Sequence, residues 1–357
     1  MLSINTYKCY IVEMIKRPII NIISNLDPIY WKPLIDNYKS ALNFIVSNLP
    51  INADFHIVYS YKAKLKIPNC KSRIAFVVTE PPEIEALQIK YLKQFGKVFS
   101  PDFHYLKDLD NLTVTGGLLL WQAGFMFENK KIIKSSNFEN IVNSWHNERP
   151  IQISIITSNK EITPLQKQRL NFIKYLELSL PEIEIFGRGF REIEDKSQVL
   201  LKSKYHIALE NSIHNGYWTE KLIDPLICGT QVIYCGDQSV NRLFKSVVFI
   251  DINNFDKALG IIEDVLKNNV WEKNLSLRKK DYINFMEHHN LLKVIEKWVQ
   301  DFKDPIHKDL HIIRAEKNKY KIIYDKLNFH LKKRDLLIIL LLKFIRYFSK
   351  KNHSKSK

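Results

Sequence analysis

The chain has 357 residues, 45% hydrophobic and 26% charged, a balance that fits an ordinary globular protein of two domains and sets disorder aside except at the far C-terminus. Its 54 Lys and Arg outnumber 38 Asp and Glu, and the resulting charge of +16 favours anionic partners: nucleic acid, an acidic membrane surface or a phosphorylated small molecule. The four cysteines, Cys9, Cys70, Cys228 and Cys235, form no C-x-x-C pair and lie beside no His cluster, which argues against a zinc site or a disulfide framework and for reduced, buried thiols.

Lys8, Glu13, Lys16 and Arg17 interrupt the first twenty residues, so no secretory apolar core follows a basic start. No run reaches the ~18 apolar residues that span a bilayer. The first fifty residues read as helical and loosely amphipathic. Strand-like runs follow at 54–61 and 73–79, the second rich in Ile, Phe and Val. Pro81 and Pro82 end that run, because the residue before a proline is pushed to extended geometry. A helix is expected over 83–94, with weaker strands at 97–99 and 112–120. This half reads as a small α/β domain, and the polar stretch 140–150 marks its boundary.

Beyond 151 the alternation is clear. Strands are expected at 151–157, 182–186, 205–209, 231–234 and 247–252. Thr163 and Pro164 open a helix as N-cap and first helical residue. Others start after Thr219 and at 255–267. Strands alternating with helices mean a parallel sheet covered on both faces. No G-x-G-x-x-G is present, so the usual dinucleotide fingerprint is missing. The expected architecture is two Rossmann-like domains facing across a cleft, with ligands beyond the carboxyl ends of the strands.

At that edge of the second domain stands Leu209-Glu210-Asn211-Ser212. Tyr217-Trp218-Thr219-Glu220-Lys221 follows and opens a helix, and Gly229 precedes the next strand. A strand, a polar loop and a helix start can hold an anion through free N–H groups and the helix dipole. Lys221 adds a positive charge, and Glu220 could accept ribose hydroxyls. The plain alternative is a capped helix start.

These motifs, together with Phe186-Gly187-Arg188-Gly189, resemble the signature of glycosyltransferase family 10, the α-1,3-fucosyltransferases, over about residues 151–266. The resemblance implies a GT-B fold and an inverting transfer of L-fucose from GDP-fucose. It implies that Asn211, Tyr217, Glu220 and Lys221 contact the GDP part. Two departures bear on the donor pocket. Val232 stands where family members usually carry a proline, and Pro225 falls inside the helix after Glu220, where it should kink it.

Arg169 shares a helical stripe with Leu165, Phe172, Ile173 and Leu176. An inward charge needs a partner. It is either a snorkelling or salt-bridged arginine or a ligand of the donor diphosphate, and the resemblance implies the second. Glu80 ends the strand at 73–79 and faces the expected cleft. By resemblance it is the catalytic general base, with Glu83 and Glu85 as close competitors and a solvated loop carboxylate as the alternative. Asp108-Leu109-Asp110 formally matches a D-x-D metal motif but reads as a chance match in a polar loop. A site that neutralises diphosphate with Arg, Lys and a helix end needs no metal, and none is expected.

Near the C-terminus, Leu331-Lys332-Lys333-Arg334 precedes an apolar stretch at 336–342 that Lys343 and Arg346 interrupt. This pattern suits an amphipathic helix on an anionic membrane surface, or a helix packed on the protein itself. The expected division is 1–145, an acceptor-side α/β domain with a helical leader; 146–300, the Rossmann-like donor domain; and 301–357, a helical extension ending in the basic tail. The expected partners are a nucleotide sugar, a glycan acceptor of surface-polysaccharide or lipopolysaccharide type and the membrane surface, in a protein peripheral on its cytoplasmic face. No nucleic-acid motif appears, so nucleic acid is not expected. A GT-B transferase using another nucleotide sugar and a non-catalytic basic binding protein are the alternatives.

Overall fold

In the computed structural model the described residues are 17–128, 131–136, 138–161, 163–303 and 310–315. Strand β1 (Ile19–Ile23) begins where a helix is expected, followed by a short helix Lys32–Asn37 and β2 (Asn43–Ser47). Residues 1–16 lie outside the described residues. The reason for the difference is packing: Ile20, Ile22 and Ile23 are buried, and buried Asn21 satisfies its amide on the Ile45 carbonyl and Ser47 Oγ. Such β-branched residues suit a strand covered on both faces.

β3 (Phe55–Tyr59), β4 (Leu65–Pro68), β5 (Ile74–Val77), β6 (Lys97–Ser100) and β7 (Leu112–Val114) complete the first half. Six of these seven strands form one parallel sheet in the order β2-β1-β3-β5-β6-β7. The helix expected over 83–94 shrinks to Ile89–Leu92. Pro81 caps a turn instead, its carbonyl accepting the N–H groups of Ile84 and Glu85. The strand expected over 112–120 stops at Val114, ahead of Gly117, whose positive φ of 72° breaks the extended run. A hairpin, β8 (Phe125–Glu128) and β9 (Lys131–Ser135), leads to the second half.

There β10 (Ile151–Ile156), β11 (Ile183–Phe186), β12 (Ser203–Leu209), β13 (Gln231–Cys235) and β14 (Val248–Phe249) form a parallel sheet in the order β11-β10-β12-β13-β14. Both sheets reverse their winding beside their first strand, β1 in one and β10 in the other. Each therefore has a switch point where a crevice opens at the carboxyl edge. Helices Pro164–Ser179 and Phe255–Lys267 cover one face of the second sheet around Ile153, Ile155, Phe172, Ile173 and Ile262.

Helix Glu220–Ile227 runs through Pro225. In so short a helix the proline removes one bond, and buried Leu222, Ile223, Leu226 and Ile227 hold it in a core shared with Leu118, Leu120 and Trp121 of the first half. Val232 is buried mid-strand, in register with His206.

After helix Leu275–Asn284 a π-helical turn, Phe285–His289, redirects the chain. Helix Leu291–Gln300 then packs on the first half. Trp298 and Phe302 meet Phe55 edge-on, and Glu296 accepts hydrogen bonds from Tyr38 and Ser40. Where a helical extension is expected, residues 310–313 form β15 (Leu310–Ile313), antiparallel to β4. The C-terminal tail lies outside the described residues. Among the described residues no helix is long and apolar enough to cross a membrane.

Candidate active site

The chemistry-bearing residues gather at the carboxyl edge of the second sheet, around Glu210. Its carboxylate is fully buried just beyond β12 and accepts from the Thr219 N–H at 2.9 Å, from Thr219 Oγ1 at 2.9 Å and from Tyr234 OH at 3.2 Å. Burial lifts this carboxyl above its ordinary value. Lys221 Nζ approaches it to 3.7 Å and bonds Glu220 Oε1 at 3.2 Å and Thr219 Oγ1 at 3.2 Å. Sequence reading passed over Glu210, although it sits inside the motif. Its signal was a carboxylate directly after the buried apolar run Ile207, Ala208 and Leu209 that closes β12.

Arg169 comes from the helix that Thr163 and Gln166 start with a reciprocal capping box. It is only 3% exposed. Its Nη1 donates to Asn211 Oδ1 at 2.6 Å and to the Leu209 carbonyl at 3.4 Å, while its Nε is buried without a partner. Burial lowers the guanidinium's hold on its proton, and the charges of Glu210 and Glu220 oppose that shift. Arg169, Asn211, Glu220 and Lys221 are therefore brought together at one edge. Another unpartnered buried group, Thr157 Oγ1, follows β10 at the switch point.

The helix mouth differs from the expectation of free N–H groups. Thr219 Oγ1 already accepts the Lys221 N–H at 3.2 Å, and the Thr219 carbonyl accepts that of Leu222. What remains for an anion is the dipole and the Lys221 side chain. Glu220 is held ionised. Burial alone would raise its carboxyl, but Lys221 and Lys196 outweigh burial and bring it down to about 2.

The loop between β12 and that helix straps the two halves together. Ser212 Oγ donates to Glu83 Oε2 at 3.1 Å, His214 Nε2 lies 3.0 Å from Glu83 Oε1, and the Asp102 N–H donates to the Asn215 carbonyl at 2.9 Å. Tyr217 is buried in the first half's core against Phe103. Its ring thus serves the strap, and burial together with Glu210, Glu220, Glu80 and Glu83 raises its hydroxyl far above the ordinary value.

Glu80 follows β5 and is exposed. The surrounding protein, reinforced by Glu220 and Glu85, raises its carboxyl, while Lys221 and Lys62 pull it back. Glu80 thus senses the Glu220–Lys221 pair from the first half. Its competitors are engaged: Glu85 pairs with Lys62, and Glu83 is bound by Ser212 and His214. Burial would raise the Glu83 carboxyl, but His214 and Ser212 hold it below the ordinary value. Asp108 and Asp110 are exposed in a loop.

Residues 147–328, just over half of the chain, match the family described as "Glycosyltransferase family 10 (fucosyltransferase) C-term". Over 74 residues the chain is 35% identical to "Alpha-(1,3)-fucosyltransferase FucT" of Helicobacter pylori, covering 20% of this chain and 16% of that protein. Over 109 residues it is 28% identical to "4-galactosyl-N-acetylglucosaminide 3-alpha-L-fucosyltransferase 9" of Mus musculus, covering 28% of this chain and 30% of that one. The matched parts thus span less than a third of either relative. Among solved structures, "Crystal Structure of alpha1,3-Fucosyltransferase with GDP-fucose" aligns at 18% identity with a TM-score of 0.48, covering 82% of this chain and 93% of that one. With its family match spanning both the strand-end Glu210-Asn211-Ser212 and the Thr219-Glu220-Lys221 helix start, the chain belongs to glycosyltransferase family 10.

Proposed function

We propose that this protein is an inverting fucosyltransferase that moves L-fucose from GDP-fucose to a hydroxyl of a glycan. One observation carries the reading. Arg169 bonds the residues before and after Glu210, Lys221 Nζ lies 3.7 Å from the Glu210 carboxylate, and the Arg169 Nε is buried with no partner. A buried donor that finds no acceptor within the protein suits an anion supplied from outside. The diphosphate of a sugar nucleotide carries that charge.

In this reading the acceptor hydroxyl attacks the anomeric carbon from the face opposite the diphosphate. The new C–O bond forms as the bond to the diphosphate oxygen breaks, and that oxygen keeps the electron pair. The hydroxyl proton passes to Glu80, whose raised carboxyl makes it a stronger base than an ordinary glutamate. Arg169 and Lys221 stabilise the charge gathering on the leaving diphosphate. Asn211 holds Arg169 in place, Glu220 is available to ribose hydroxyls, and Tyr217 braces the strap behind them. A single displacement inverts the anomeric centre.

The acceptor is a surface glycan on a lipid carrier or a lipopolysaccharide, reached at the cytoplasmic face of the membrane. The cations and apolar run at 331–348 support that placement. Cosedimentation with anionic vesicles tests it: the full chain pellets and a chain ended after Asp335 stays in solution. Equal pelleting of both removes the tail from the account.

The reaction is tested by incubating the protein with GDP-fucose and a panel of glycans and assigning the product's anomeric configuration by NMR. Release of GDP with inverted fucose on the glycan is expected. Turnover of a UDP-sugar in place of GDP-fucose, or retained configuration, contradicts the reading.

A further inference from the structure

Lys196 caps the short helix Ser197–Leu200 between β11 and β12. Its Nζ donates to Asp224 Oδ2 at 2.8 Å and lies 3.6 Å from Glu220 Oε1. The backbone that carries it is firmly held. Asp195 accepts the Ser197 N–H at 2.7 Å, the Ser197 hydroxyl at 2.6 Å and the Gly124 N–H at 2.9 Å. Asp224 in turn accepts the N–H groups of Gln122 at 2.6 Å and Ala123 at 3.0 Å. Two carboxylates therefore catch three consecutive N–H groups of the first half. Lys196 joins that seam to Glu220.

The charges explain why a second lysine is needed. Glu210, Glu220 and Asp224 lie within reach of Lys221 and Lys196. Without Lys196, Lys221 alone would face Glu210 and Glu220, and its charge would be spent within the protein. Buried Asp224 is 1% exposed and would be left without a cation.

We propose that Lys196 is a positioning residue for the donor: by neutralising Asp224 and sharing Glu220 it holds Glu220 in place and leaves the Lys221 ammonium available to a nucleoside diphosphate. The proposal rests on the functional reading above. Lys196 itself touches no substrate and acts through Glu220 and Lys221.

The test measures GDP affinity by calorimetry and donor KM and kcat for wild type, Lys196→Met and Lys196→Arg. Lys196→Met is expected to weaken GDP binding and raise donor KM about tenfold, the effect of one charge-assisted hydrogen bond, while kcat stays within about threefold. Lys196→Arg, which keeps the charge, recovers most of the affinity. Because Lys196→Met alone strands the Asp224 carboxylate, the pair Lys196→Met/Asp224→Asn is measured beside it and should fold and show the same weakening. In a Glu220→Gln background the effect of Lys196→Met should shrink to about twofold, since the two act as one unit. Equal GDP affinity in wild type and both Lys196 variants overturns the proposal and leaves the fucosyltransferase reading standing. So does an undiminished effect in the Glu220→Gln background. Failure of wild type to bind GDP overturns both.

Discussion

Replacing Arg169 with methionine removes the guanidinium while keeping the length of the side chain on its buried stripe. In the free protein the change deletes the bond to Asn211 Oδ1 at 2.6 Å and the weaker one to the Leu209 carbonyl at 3.4 Å. Those losses cost about 1–3 kcal/mol. Burying a thioether in place of a charge, one already carrying an unpartnered Nε, offsets much of that. Net stability should therefore fall by about 1 kcal/mol, a shift of a few degrees in melting temperature. Binding behaves differently. Two hydrogen bonds from a guanidinium to phosphate oxygens are each worth about 1.5–3 kcal/mol, of which desolvation already met in the free protein removes little. Their loss should weaken GDP by about 3 kcal/mol, on the order of 100-fold. Titration calorimetry with GDP gives the affinity and circular dichroism the melting temperature. A folded Arg169→Met protein that binds GDP within threefold of wild type refutes the reasoning. It would assign Arg169 to the fold alone.

Glu80→Gln should bind GDP within about twofold of wild type yet lose roughly 100-fold or more in transfer, the usual reach of a general base, in a coupled GDP-release assay. Because the Glu80 carboxyl is raised, wild-type turnover should fall as pH drops through a midpoint above the ordinary value of 4.5, and a kcat/KM profile without that acid limb removes Glu80 from the mechanism. Glu220 is held at about 2 against an ordinary 4.5, so its stabilising effect is complete above 4.5 and fades as pH falls toward 2. Urea melts of wild type and Glu220→Gln should converge across that window; curves that stay parallel contradict the ion network. Gly187→Ala places a Cβ 2.0 Å from the Thr157 carbonyl oxygen at a φ of 107°, and should lower stability by about 2 kcal/mol or more in thermal melts.

The second sheet was legible in the sequence because its strands are short segments rich in Ile, Val and aromatic residues, several of them closed by glycine or a polar turn. Phe186 before Gly187 and Cys235 before Gly236 are examples, and buried parallel strands leave that signal. The inward stripe of Arg169 was legible for a similar reason, since helical spacing alone puts it beside Leu165 and Ile173. The first fifty residues misled because Asn21 interrupts the isoleucines of β1 and mimics amphipathic spacing. Its burial is repaid by Ile45 and Ser47, more than twenty residues away. The helix expected over 83–94 is cut to Ile89–Leu92, the chain making only a single turn at Pro81, whose carbonyl accepts the Ile84 and Glu85 N–H groups. Lys196 was invisible for the same kind of reason: its partners Glu220 and Asp224 lie more than twenty residues downstream. The strap was hidden too, because Glu83 meets Ser212 and His214 only once the two halves face each other. The buried ring of Tyr217 adds that a motif residue can serve the frame of a site as well as its ligand.

The account stands on a nucleoside diphosphate being held between Arg169 and Lys221. Titrating wild type with GDP, UDP and a duplex oligonucleotide in the calorimeter, at low and at high salt, tests that directly. GDP should bind, and should keep most of its affinity at high salt because its contacts are buried and specific. UDP and the duplex should bind weakly, and the duplex should fade steeply with salt. Duplex binding with a steep salt slope and no measurable GDP affinity would contradict the account.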